Sequence, residues 1–144
     1  ECHVHAGIHS DDIHKLLDSH ANSELLVHPE CSCTSQIMYD VAVGDYRGRQ
    51  VQIMSTEGMM NYAKQSAGQN FVVATETGIL YRMQQQNPGK NFIPASRGAV
   101  CQYMKMITLD KVYSALLEEK YEVRVPKQTA DKARLAIERM LAII

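Results

Sequence analysis

Val51-Gln52-Ile53-Met54-Ser55-Thr56-Glu57-Gly58-Met59 is the stretch that decides the fold. An apolar run meets a hydroxyl pair, an acid and a glycine. A helical pattern then runs over 59–65. The order returns at Val73-Ala74-Thr75-Glu76-Thr77-Gly78-Ile79, behind the apolar run 70–74 and ahead of a helix over 79–86. Strand, polar turn and helix, repeated, are the units of a parallel sheet covered by helices. Working outward, 24–28 reads as a strand stopped by Pro29. Residues 10–20 and 34–43 read as helices. The first has Ile13, Leu16 and Leu17 on one face; the second has Ile37, Met38 and Val41 on one side. A polar loop, 44–48, separates the second helix from 51–54. Residues 91–94 read as an edge strand, because Pro94 cannot donate to a central ladder. Beyond it, 109–119 is helical, 121–125 extended, and 129–140 an amphipathic last helix. The predicted fold is a three-layer α/β/α domain with a short parallel sheet.

Composition bounds the function. The chain has 144 residues, 45% hydrophobic and 22% charged, with a net charge of −1. That is enough for one domain with a substantial core. No global basic field exists to hold a nucleic-acid backbone, so nucleic acid is not an expected partner. No apolar run approaches the roughly 18–20 residues that span a bilayer. Charge is graded along the chain. Residues 1–28 hold one basic and five acidic side chains, whereas 97–144 hold nine basic and six acidic. All six histidines lie at or before His28. The chain opens at Glu1 without Met, which reads as a processed start or a piece of something longer.

Ligands of open parallel sheets bind outside the carboxyl ends of the strands. The first three strands here end in His28-Pro29-Glu30, Ser55-Thr56 and Thr75-Glu76. Glu30 suits general acid/base work, and His28 suits orienting or protonating a substrate oxygen. A solvated turn explains the same pair. Ser55 and Thr56 at a helix start favour a phosphate or carboxylate, though capping alone accounts for them. Thr75-Glu76 reads as a cap. Cys2-His3-Val4-His5 reads as extended chain, with His3 and His5 on one side and Cys2 on the other, and admits zinc. His9, His14 and His20 read as surface residues, and most methionines as core. With no secretory signal visible, the four cysteines read as buried thiols, metal ligands or cluster ligands rather than disulfides. A redox pair of Cys31 and Cys33 is the least favoured reading, since oxidation would close a small strained ring.

Several motifs together resemble quinolinate synthase. They are Cys2-His3-Val4-His5, Leu26-Val27-His28-Pro29-Glu30-Cys31, Ser55-Thr56-Glu57-Gly58-Met59, Ala74-Thr75-Glu76-Thr77-Gly78 and Cys101-Gln102-Tyr103-Met104-Lys105-Met106-Ile107-Thr108. Glu122-Val123-Arg124-Val125-Pro126 and the helix containing Ile137-Glu138-Arg139-Met140-Leu141 extend the likeness to the end of the chain. Cys33 and the loop 44–50 depart from the shortest family members.

The resemblance implies a C-terminal portion of that enzyme, starting at Glu1. It implies a pseudo-threefold arrangement of three α/β domains. Residues 1–100 would be the third domain, and 101–144 would return to the absent N-terminal domain. A 4Fe-4S cluster would be held by three cysteines, two of them Cys2 and Cys101. Cys31 and Cys33 are not ligands in this mapping. The implied reaction condenses iminoaspartate with dihydroxyacetone phosphate to quinolinate for NAD biosynthesis. His5, His28, Glu30, Ser55, Thr56 and Met104 would contact substrate, with Glu30 and His28 catalytic. The implied location is cytoplasmic, with L-aspartate oxidase as a further partner and the portion inactive alone. The alternative is a small non-catalytic zinc- or metabolite-binding α/β domain.

Overall fold

Leu25, Leu26 and Val27, and Phe71, Val72 and Val73, are side chains that fit a pleated surface buried on both sides, and all six are essentially inaccessible. The computed structural model describes residues 2–46 and 48–143. Glu1, expected as the start of the portion, Arg47, within the expected 44–48 loop, and Ile144 lie outside the described residues. The chain divides into two units, 1–102 and 103–144.

The first unit runs α1 (His3–Ala6), α2 (Ser10–Ser19), β1 (Ser23–Val27), α3 (Thr34–Val43), β2 (Val51–Ile53), α4 (Thr56–Gln65), β3 (Asn70–Ala74), α5 (Gly78–Gln86) and β4 (Asn91–Pro94). The sheet order is β2-β1-β3-β4, and every pair is parallel. β4 lies at an edge, as Pro94 requires. Alternation of side chains divides the core between the two faces. Leu25, Val27, Val72 and Ala74 pack with Val4, Ile13, Leu17 and Ile37 of α1, α2 and α3. Leu26, Phe71 and Val73 pack with Met59, Ala63 and Met83 of α4 and α5. This is the three-layer arrangement expected. Each fully buried Leu, Val or Phe stabilises it by about 1.5–3 kcal/mol.

Helix ends follow local chemistry. Ser55 Oγ accepts the Gly58 N–H at 3.2 Å and starts α4. Lys90 Nζ donates to the carbonyls of Ala63 and Ser66 at 2.6 and 2.5 Å, closing the other end of α4. Gly44 ends α3 at φ 89°, a left-handed conformation that glycine adopts without strain.

Three details differ from the sequence reading. His3–Ala6 is a helical turn rather than extended chain, so only His5 of the two histidines turns inward. On α3 the buried residues are Ile37 and Asp40, whereas Met38 and Val41 are exposed. Asp40 goes inward because it has partners there: Gln36 Nε2 donates to it at 2.7 Å and His14 Nε2 lies 3.4 Å away. His14, read as a surface residue and 40% accessible, stacks on buried Tyr46, whose hydroxyl is pushed up to about 12 by burial and then by Asp40. Finally, Cys31 and Cys33 are joined by a disulfide. A turn in which the Thr34 N–H bonds the Cys31 carbonyl brings their Cα atoms to 5.2 Å, within bonding range.

The second unit contains most of α6 (Gln102–Lys105), then α7 (Leu109–Leu117) and α8 (Lys127–Leu141). Residues 121–125, read as extended, join no strand, and Tyr121 takes a φ of 64°. Among the described residues of this unit none is buried, and Leu116, Leu117, Leu135 and Met140 are all exposed. No helix among the described residues is long and apolar enough to cross a membrane.

Candidate functional site

Parallel register brings three polar turns to one edge of the sheet. Val27 pairs with both Ile53 and Ala74, so His28, Met54 and Thr75 all leave the sheet at its carboxyl end. Two hydrogen bonds continue the ladder past these ends, from His28 N–H to Ala74 O at 3.1 Å and from Met54 N–H to Val27 O at 3.0 Å. The expected ligand-facing positions of β1, β2 and β3 thus emerge together.

α1 adds His5 to this edge. Ser32 holds the turn in place, its hydroxyl lying 3.3 Å from the His5 carbonyl and 3.1 Å from that of Ile8. The His5 ring stacks on His28 with centroids 4.6 Å apart and planes 9° from parallel. His5 Nδ1 and His28 Nδ1 lie 3.6 and 4.0 Å from Glu30 Oε2. The three side chains are graded from buried to exposed: His5 is 9% accessible, His28 17% and Glu30 70%.

Each imidazole is oriented by a neighbour. His5 Nε2 and Thr75 Oγ1 are hydrogen-bonded at 3.0 Å in a buried setting. His5 Nδ1 is buried without a hydrogen-bond partner. Burial, and secondarily the adjacent His28, push the His5 pKa below its usual value, against a smaller opposing effect of Glu30. His5 is therefore neutral near pH 7. His28 Nδ1 accepts the Glu30 backbone N–H at 3.3 Å. A neutral His28 accordingly carries its proton on Nε2.

Thr75 and Glu76 were read only as a cap, and they do more. Thr75 orients His5. Glu76 is buried, and its Oε2 accepts the Gly78 N–H at 2.6 Å, which is a capping bond. Its Oε1 accepts the Cys101 N–H at 3.3 Å, so it also ties down the segment carrying that cysteine. Acid and hydroxyl after an apolar run look the same in sequence whether they cap or position, so no local signal could have separated the two roles.

Cys2 and Cys101 are the free cysteines among the described residues. Both are partly buried, and both pack against the same hydrophobic cluster. Cys2 stands at the N-cap of α1, where its carbonyl accepts the Ala6 N–H at 2.9 Å. Ser55 and Thr56 are exposed at the start of α4. Met104 is exposed and belongs to the second unit.

The quinolinate synthetase A protein family matches residues 1–142. The chain belongs to this family. A quinolinate synthase of Thermus thermophilus is 47% identical over 143 residues, covering 99% of this chain and 44% of the relative. One from Pyrobaculum aerophilum is 48% identical over 140 residues, covering 97% of this chain and 45% of the relative. One from Mycobacterium leprae is 38% identical over 143 residues, covering 99% and 41%. The chain thus spans less than half the length of these quinolinate synthases.

Proposed function

We propose that this chain is the C-terminal portion of a quinolinate synthase. The whole enzyme would condense iminoaspartate with dihydroxyacetone phosphate, lose phosphate and water, and form quinolinate for NAD biosynthesis in the cytoplasm. The observation that carries this reading is the convergence of His5, His28 and Glu30 at the carboxyl edge of the sheet. The family match over nearly the whole chain supports it.

Glu30 has an exposed carboxylate beside two imidazoles, suited to taking and returning substrate protons. His28 presents Nε2–H to a substrate oxygen. His5 offers a buried Nδ1 that a substrate donor would satisfy. Ser55 already accepts the Gly58 N–H, and its hydroxyl proton stays available to donate. With Thr56 and the first N–H groups of α4, it suits a carboxylate or phosphate. Met104 would line the cavity in the whole enzyme.

Cys2 and Cys101 suit two of the three ligands of a 4Fe-4S cluster. Both are free, both border one core, and each is held through its backbone. The third cysteine would lie outside this chain. With three thiolates, the chemistry such a cluster supplies is Lewis acidity at the iron left open. Residues 1–100 would be the third of three α/β domains around a pseudo-threefold axis. The exposed apolar side chains of α7 and α8 favour packing of 101–144 on the N-terminal domain. L-aspartate oxidase would be a further partner, through the substrate iminoaspartate.

The test is anaerobic iron and sulfide reconstitution with and without a separately expressed N-terminal part, followed by a quinolinate assay. A cluster and quinolinate should appear only with both parts present. C2A and C101A should each abolish both. Quinolinate formed without iron, or a cluster indifferent to C2A and C101A, would overturn the reading.

A further inference from the structure

We propose that the turn Thr75-Glu76-Thr77 is the positioning element for Cys2 and Cys101, holding the segment of Cys101 directly and the helix that begins at Cys2 through His5. Three consecutive residues reach two segments that are far from them in the chain. Thr75 Oγ1 lies 3.0 Å from His5 Nε2 and so anchors α1. Glu76 Oε1 accepts the Cys101 N–H at 3.3 Å, and the Thr77 N–H donates to the Ala99 carbonyl at 2.9 Å. All of these bonds lie within the first unit.

Each anchor is itself fixed. Glu76 is buried, and its other oxygen accepts the Gly78 N–H at 2.6 Å, so the carboxylate cannot swing away without breaking the cap of α5. Ala99 is buried in the cluster against which Cys2 and Cys101 both pack. The turn leaves a buried strand, since Val72, Val73 and Ala74 are inaccessible, and the Ala95 N–H ties β4 to the Val73 carbonyl at 2.9 Å. Cys2 belongs rigidly to α1, because its carbonyl accepts the Ala6 N–H. A ligand whose backbone is already ordered loses less entropy when it binds. The turn thus sets the register of the two thiols in the chain alone. Thr75, Glu76 and Thr77 are positioning residues, and the inference rests on the reading above only in naming a cluster as what the thiols receive.

The experiment is the rate of iodoacetamide reaction with Cys101 in a C2S chain and with Cys2 in a C101S chain. E76Q should speed Cys101 about 10- to 150-fold, the worth of one hydrogen bond to a charged group. T77P should speed it about 2- to 12-fold, the worth of a neutral one. Thr77 has a φ of −66°, which is proline's own, and the substitution changes no charge near the thiol. T75V should speed Cys2 by a similar factor. A63G, which weakens α4 on the other face of the sheet, should leave both rates within about twofold. With the N-terminal part and a reconstituted cluster, E76Q should release iron to a chelator about 10- to 100-fold faster. Unchanged Cys101 rates in E76Q and T77P, an unchanged Cys2 rate in T75V, equal acceleration of both thiols by A63G, or iron release no faster in E76Q would each overturn the proposal. If the unsubstituted parts take up no iron, the reading above fails, and the thiol rates still decide this one.

Discussion

Thr75→Val isolates the bond that orients His5. Valine keeps the branched shape of threonine and puts a methyl group in place of the hydroxyl, so the change opens no cavity. The hydroxyl lies 3.0 Å from His5 Nε2, and both residues are buried. His5 Nδ1 already has no hydrogen-bond partner, so the variant leaves a buried imidazole with neither nitrogen satisfied. Leaving a buried polar group unpaired costs about 1–3 kcal/mol. At 25 °C that is a loss of roughly 5- to 150-fold in the folding equilibrium. Native-state hydrogen exchange of the β1 and β3 amides in chelator reads this unit without the second one. The same substitution in a His5→Leu background removes the confounding effect of the hydroxyl itself. There its cost should shrink by about 1 kcal/mol or more, since the partner is gone. A T75V effect below about 0.3 kcal/mol, or an equal effect in both backgrounds, would refute the claim that this bond holds the ring.

Two further predictions concern the same edge. The folded state holds the His5 pKa below the ordinary 6.5 of the unfolded chain. Between those two values the unfolded state binds more protons, so stability rises with pH across that window and falls as pH drops below 6.5. His5→Asn should flatten this part of a urea-midpoint series, and an unchanged slope would reject burial of His5 as its source. Glu76→Gln replaces one carboxylate oxygen by an amide that faces a backbone N–H, either that of Gly78 or that of Cys101. It should cost about 1.5–3 kcal/mol and speed reaction of Cys101 with a thiol reagent, monitored in a Cys2→Ser chain. An unaltered rate would show that Glu76 does not restrain Cys101.

Much of the fold was legible because its causes are local. The strand ahead of Pro29, the Ser55 cap, and Pro94 at an edge are properties of short windows, and the structure bears them out. The parallel order read from the repeated strand–turn–helix pattern also brings His28, Ser55 and Thr75 to one side of the sheet. Where contacts between distant segments compete with local pattern, the reading failed. Four residues at His3–Ala6 are too few to show a helical period, and the turn is held by Ser32 from another segment. Asp40 is buried where Met38 and Val41 were expected, beside His14 and Gln36, which reach it from the partly exposed surface. The Cys31–Cys33 bridge depends on a turn that their spacing alone does not reveal.

Sequence by itself determined the longer strands and helices of the first unit, and which strand ends carry polar groups. Periodicity, caps and proline placement act over a few residues and need no distant partner. Tertiary structure alone decided the chemistry of the edge. It stacked His5 on His28, set both beside Glu30, and placed Thr75, 70 positions from His5, behind the ring. Those contacts follow from strand register and helix packing, and an imidazole becomes a specific acceptor, donor or ligand only when its other nitrogen is spoken for.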